Sequence, residues 1–237
     1  MNLWHLYEAK IAIRNRIVGG IPMAPKLIEG WLAASMPDVA AEERKKLAEA
    51  TAAELPEITE EAAGAMWTTF KRNDDGLYIE GRQIKAAIKE ASNVLRALLT
   101  ADEGAGKKKK DGAAAGTKEK SRYTNLRSRV AERVFVVEDV VALCDGNGAR
   151  IREPSGTEER AIHVMTAAGP RNALKRVDYV VAPHLSFTLR VLRDGVVDEP
   201  LLRVLFDYMG ENGLGADRSQ GNGTFQLVSL KLVADRQ

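Results

Sequence analysis

A chain of 237 residues, 45% hydrophobic and 29% charged, can bury a full core and reads as one large or two small soluble domains. A formal net charge of +2 excludes a global basic field, so any nucleic-acid binding has to come from local clustering of cations. The single Cys144 excludes an intrachain disulfide and a multi-cysteine zinc site, and with only His5, His163 and His184 scattered along the chain neither a metal nor a cofactor is expected.

The opening segment MNLWHLYEAKIAIRN has charges interrupting every apolar stretch, which predicts neither a signal peptide nor a membrane span; a cytoplasmic protein without membrane contact is the expectation. Leu3, His5, Tyr7, Ala9, Ile11 and Ile13 alternate with Trp4, Leu6, Glu8 and Lys10, so residues 3–13 read as the first strand. Arg14, Arg16, Gly19-Gly20, Pro22 and Pro25 then predict a loop crossing the end of a sheet. Over 26–70, Leu27, Ile28, Trp31 and Leu32 at helical spacing, followed by an Ala/Glu/Lys-rich stretch, predict a helical insertion. Asp75-Gly76 makes a turn and 77–79 a short strand. Ile84, Ala87, Ile88, Ala91, Leu95 and Leu98 form the apolar stripe of an amphipathic helix. Its other face carries Lys85, Lys89, Ser92 and Arg96, a basic stripe of the kind that is ordinarily solvated.

Residues 101–122 hold no large apolar side chain and a run of four lysines at 107–110, which predicts a mobile loop able to add sequence-independent attraction to a polyanion. Strands are expected again over 133–143, with a hairpin-like turn at Asp145-Gly146-Asn147-Gly148. In the polar stretch 151–180, segments 161–165 and 175–180 read as the two arms of a projecting hairpin, and 185–191 as a half-buried strand. Asp198 is a good N-cap for a second amphipathic helix stopped by Gly210, and 224–233 is the last strand. The order predicts an α+β fold with a ferredoxin-like (RRM-like) βαββαβ core, in a single domain over 1–237. A helical insertion at 26–70, a mobile Lys-rich loop at 101–122 and a thumb-like hairpin insertion at 151–180 decorate it.

Between the second helix and the last strand lies GLGADRSQGNGTF (213–225), and five glycines between 210 and 223 surround Arg218. Bare backbone of this kind can cradle a phosphate. A dinucleotide fingerprint fails, because Arg218 stands where the third glycine belongs, and no glycine is followed by Lys and then Ser or Thr as a Walker A loop requires. The order helix, loop, strand is also the reverse of both motifs, so nucleotide hydrolysis is not supported. Two readings are left: a loop holding a polyanion backbone with Arg218, Ser219 and Asn222, or a flexible connection whose glycines only turn the chain.

Three stretches together, LYIEGRQIKAAIKEA (77–91), RVDYVVAPHLSFTLRVL (176–192) and GLGADRSQGNGTFQL (213–227), resemble in order and spacing the RAMP superfamily, the backbone subunits of CRISPR effector complexes. Glu80 stands where that family's first motif has Pro, and Ala216-Asp217 where its loop is more basic. The resemblance implies a non-catalytic RNA-binding subunit that oligomerises along a guide RNA in a CRISPR-type ribonucleoprotein complex. Its partners would be the single-stranded guide, the complementary target strand, further copies of itself and other effector subunits. The expected RNA contacts in the glycine loop are Gly213, Gly215, Arg218, Ser219, Gly221 and Asn222. Arg82, Gln83 and Lys85 join them at a helix N-terminus, where free N–H groups and the dipole favour phosphate. Arg14 and Arg16 follow from topology, as neighbours of the loop at the end of the first strand. In the thumb, Met165 is a candidate wedge between bases or an ordinary sheet residue, and Arg171 and Lys175 are candidate phosphate contacts. No catalytic residue is expected: Asp38 sits in a helical context as a cap, and His163 and His184 have no partnered nucleophile or acid. The alternatives are an endoribonuclease of the same superfamily using Asp38, and a structural or interaction protein that keeps the fold without RNA.

Overall fold

The computed structural model describes residues 3–23, 25–36, 38–53, 55, 66–107, 121–166 and 169–233. In chain order the elements are β1 (Trp4–Ile13), β2 (Arg16–Val18), β3 (Ile21–Pro22), α1 (Pro25–Ser35), α2 (Ala41–Ala53), β4 (Met66–Thr69), β5 (Lys71–Asn73), β6 (Gly76–Glu80) and α3 (Gly81–Lys107). There follow α4 (Leu126–Arg133), β7 (Val134–Val136), β8 (Val140–Ala142), β9 (Gly156–Thr166), β10 (Gly169–Val181), β11 (His184–Leu192), α5 (Glu199–Asn212), a 3-10 turn (Arg218–Gln220) and β12 (Phe225–Val233).

The alternation of β1 puts Tyr7, Ala9, Ile11 and Ile13 on one buried face. Four antiparallel strands run in the order β12–β1–β11–β7. Ile84, Ile88 and Ala91 of α3 and Leu202, Leu205 and Phe206 of α5 share one core with Ile11, Phe187 and Phe225 of this sheet. With β1, α3, β7, β11, α5 and β12 in chain order, the molecule is α+β with a ferredoxin-like, RRM-like βαββαβ core. Asp198 caps α5 as its residue type demands, accepting from the Leu201 N–H at 3.0 Å.

A second sheet has the order β2–β10–β4–β3, with β9 paired to β10, and a third joins β5, β6 and β8. The arms expected at 161–165 and 175–180 form one long antiparallel hairpin, β9–β10, paired from Gly169↔Thr166 to Tyr179↔Gly156. Its root is not free: β9 takes one edge of β10, and on the other edge β4 pairs in parallel at 175–177 and β2 antiparallel at 179–181.

Several expectations are corrected. The segment after β1 is not a plain loop, because β2 and β3 join the second sheet. The range 26–70, expected to be mostly helical, holds α1 and α2 and then ends in the short strand β4. Helix α3 runs through 101–107, into the range expected as a loop, and of the four-lysine run Lys107 alone lies within the described residues. The range 133–143 breaks in two, β7 pairing with β11 and β8 with β6. Helix α5 passes through Gly210 and ends at Asn212. A Cβ on Gly210 would lie 2.6 Å from the Phe225 carbonyl oxygen, so that glycine lets helix and strand approach rather than stopping the helix.

Candidate nucleic-acid interface

The glycine loop closes on itself before it closes on anything else. The N–H of Leu214 donates to the Gly223 carbonyl at 2.9 Å, that of Gly223 to the Arg16 carbonyl at 2.8 Å, and that of Ala216 to the Val18 carbonyl at 3.0 Å. A side chain at Gly223 would overlap the Leu214 carbonyl, one at Gly215 would meet the Val18 oxygen at 2.7 Å, and one at Gly213 the Asn222 oxygen at 2.6 Å. At these three positions the close approach is of chain to chain. Gly221 differs, since its Cβ would meet open space. The amide of Asn222, almost fully buried, accepts from Arg16 Nε at 2.9 Å and donates to the Asp217 carbonyl at 3.3 Å, and Ser219 stands exposed on the 3-10 turn.

Beside this loop opens a groove of about 350 Å³. Gly19 and Gly20 form one side, residues 213–216 another, and Trp31 of α1 with Gln83, Ala87 and Glu90 of α3 the third. Arg218 crosses it to Glu90 at 2.8 Å, and Asn212 donates to the same carboxylate at 3.1 Å. The Arg218 bond holds the Glu90 carboxyl below the usual carboxylate range. At the far lip Arg82 pairs with Glu80 at 2.5 Å and lies 5.6 Å from the centre of the Trp31 ring. Lys85 is not part of this lining. It points away from the groove and donates to the carbonyls of Val130, Ala131 and Val134, which end α4 and open β7. Burial, and secondarily Lys89, lowers its ammonium to about 8. The stripe expected as a solvated face is therefore in part the seat of α4, and Ser92 within it is fully buried.

A second cluster joins the loop to the hairpin root. Arg16 pairs with Glu158 at 2.5 Å and lies over the Tyr179 ring at 5.0 Å. Lys175 meets both oxygens of Asp217, at 2.9 and 3.1 Å, and Arg160 meets the same carboxylate at 2.6 Å and bonds Gln220. Arg14 binds the loop through its backbone, Arg14 N–H to Thr224 oxygen at 2.9 Å, while its guanidinium turns to Glu211 at 2.7 Å. That pairing raises the arginine and lowers the carboxyl.

The expected residues thus fall into groups. Arg16, Lys175, Gly213, Gly215, Arg218, Ser219, Gly221 and Asn222 gather at the glycine loop, with Arg82 and Gln83 across the groove. Lys85 and the Arg14 side chain turn elsewhere. Met165 and Arg171 lie on β9 and β10 near the far end of the hairpin, and their side chains are outside the described part of the molecule. Asp38 stands exposed in the turn between α1 and α2, and among the described residues no group of three His, Cys, Asp or Glu side chains could hold a metal. Trp31, Glu90 and Arg160 were not expected. Arg160 had a signal, since placing it directly opposite Lys175 in the hairpin sets two like charges together and calls for an anion.

No helix among the described residues is long and apolar enough to cross a membrane. No family model matches the sequence, and no curated protein matches it. Among solved structures, the chain is similar to one in a type III-B Cmr-beta complex bound to cognate target RNA, at 14% identity and a TM-score of 0.47 over 98% of this chain and 61% of that one. It is also similar to a chain of a type IV-B CRISPR complex, at 13% identity and a TM-score of 0.42 over 98% of this chain and 92% of that one. The chain therefore spans about three-fifths of the first of these.

Proposed function

We propose that the chain is a non-catalytic RNA-binding subunit of a CRISPR-type ribonucleoprotein complex, seated along a single-stranded guide RNA beside further copies of itself and other effector subunits. The observation that carries this reading is a convergence: the Gly19-Gly20 turn, the start of α3 and the glycine loop, from both ends of the chain, line one open groove beside the root of a long hairpin. Arg82, Gln83 and Arg218 stand around it. The partner of Arg218 is a surface carboxylate: the Arg218 and Glu90 side chains are 36% and 41% exposed. Such a pair is worth at most ~1 kcal/mol, so the phosphate oxygens of a bound strand compete for the guanidinium on near-equal terms. Contacts to phosphate fix the path of a strand without selecting its bases.

Nucleic acid extracted from the purified protein is expected to be RNA, and added single-stranded RNA is expected to bind. Protein that purifies free of nucleic acid and ignores added RNA overturns the reading. Arg218→Glu should weaken binding to unrelated RNA sequences alike at matched salt, by roughly tenfold, the equivalent of one charge-assisted hydrogen bond. Unchanged affinity removes the glycine loop from the interface.

A further inference from the structure

The contact between the glycine loop and the hairpin root has a composition that a purely structural clamp does not need. Lys175 and Arg160 are direct cross-strand partners in β10 and β9, and like charges so placed repel. Both turn to one carboxylate, that of Asp217, brought from a distant part of the chain. Two cations face one anion, so the cluster keeps a net charge of +1 among its paired groups. The neighbouring charges are already matched, Arg16 with Glu158 and Arg176 with Glu159. All three side chains are largely withdrawn from water, Arg160 and Lys175 at 18% exposure and Asp217 at 14%. Asp217 meets them from a left-handed backbone conformation, φ 54, in a loop that elsewhere gives such angles to glycine. On its C-terminal flank Gly221, at φ 77 with open space where a Cβ would stand, gives the segment a place to swing.

We infer that Arg160 and Lys175 form a seat for a phosphodiester, and that Asp217 is an internal anion occupying it until RNA arrives. This rests on the RNA-binding reading above and deepens it. In the latched state the Asp217 carboxylate bridges the two cations and ties the loop to the hairpin. In the open state the loop carries Asp217 outward and a backbone phosphate takes its place, with its two non-bridging oxygens toward the guanidinium and the ammonium. The exchange is one monoanion for another, so the partly buried cations are never left unpaired. The same step couples RNA binding to the angle between loop and hairpin.

The test uses the full-length protein, stripped of any bound nucleic acid, and a labelled oligouridine, with affinity measured by anisotropy over a series of salt concentrations. Asp217→Asn, which keeps the shape and removes the competing charge, should bind at least threefold more tightly than wild type. Lys175→Gln, which leaves the Asp217–Arg160 bond in place to hold the fold, should bind more weakly, with a salt slope shallower by about 0.7, the share of one single-strand phosphate. Either folded variant matching wild type in affinity and slope overturns the seat, and if Asp217→Asn does not fold, Lys175→Gln decides alone. Failure of wild type and both variants to bind RNA is a different result: it removes the RNA-binding reading itself, and the seat with it.

Discussion

Gly223 and Gly221 are two residues apart and share nearly the same left-handed backbone, φ 75 and φ 77, yet they hold their places for different reasons. At Gly221 a side chain would meet only the backbone penalty, because nothing lies within 4 Å of where its Cβ would be. At Gly223 the same atom would overlap the Leu214 carbonyl, which accepts no compromise from a flexible neighbour. Gly221→Ala should therefore cost ~1 kcal/mol, the strain of an L-residue in that region. Gly223→Ala should cost that and a further ~1–3 kcal/mol of overpacking, opening the loop from β2. Chemical denaturation of the two variants checks the order, and equal losses would mean the loop does not close as described. The glycines were plain in the sequence, but their purpose was not. Only the pairing of Leu214 with Gly223, and of Gly223 with Arg16, shows that most of the bare backbone faces the chain itself and leaves Gly221 and the side chains of Arg218 and Ser219 as its outward part.

Lys85 is the residue through which two helices meet. Helix α4 runs straight into β7, with no glycine to end it, and its last carbonyls are met by the Lys85 ammonium from α3. Burial drives the folded-state value down to about 8, below the ordinary lysine value of 10.5. Between these two values the unfolded chain binds more protons than the folded one, so in that window Lys85 makes the fold gain stability as pH rises. Below about pH 8 the cost of holding the charge is present in full. Melting temperatures of wild type and Lys85→Met measured at pH 7.5, 8.5 and 9.5 should therefore move apart in favour of wild type. The change should stay well under the ~1.4 kcal/mol per pH unit of one whole proton, because the ammonium is only half-buried. A constant difference across the series would mean that Lys85 stays charged and solvated. The helical period of α3 was legible, and so was its basic stripe. That the stripe receives α4 was not, because Leu126 and Val130 are the only buried residues of a short, arginine-rich helix, too few to set a period.

The βαββαβ core could be read from the chain because its long elements carry their own patterns: alternation in β1 and β11, an apolar stripe in α3 and α5, a cap at Asp198. The second sheet could not, because β2, β3 and β4 have three, two and four residues, too short to show a repeated alternation, and exist only as partners of distant segments. Much of what ties the segments of this sheet to one another is concentrated at Asp178 in β10. Its carboxylate, almost fully buried, accepts from Trp67 Nε1 at 2.9 Å and Thr157 Oγ1 at 2.7 Å, and its backbone carbonyl accepts from the Gly19 N–H at 2.9 Å. One residue thus ties β4, β9 and the loop after β2 to the root of the hairpin. Asp178→Ala leaves two donors without a partner and should cost ~2–5 kcal/mol, the sum of two unmet hydrogen bonds. The loss should be uneven. Amide exchange is expected to rise across 156–181 and 17–21, while the amides of β1 and β11 above Ile11 and Leu185 keep their protection, since their core of Phe187, Phe206 and Leu205 does not include Asp178. Exchange rising equally in both sheets would show that hairpin and core open as one unit. Movement of the hairpin independent of the core would then be ruled out.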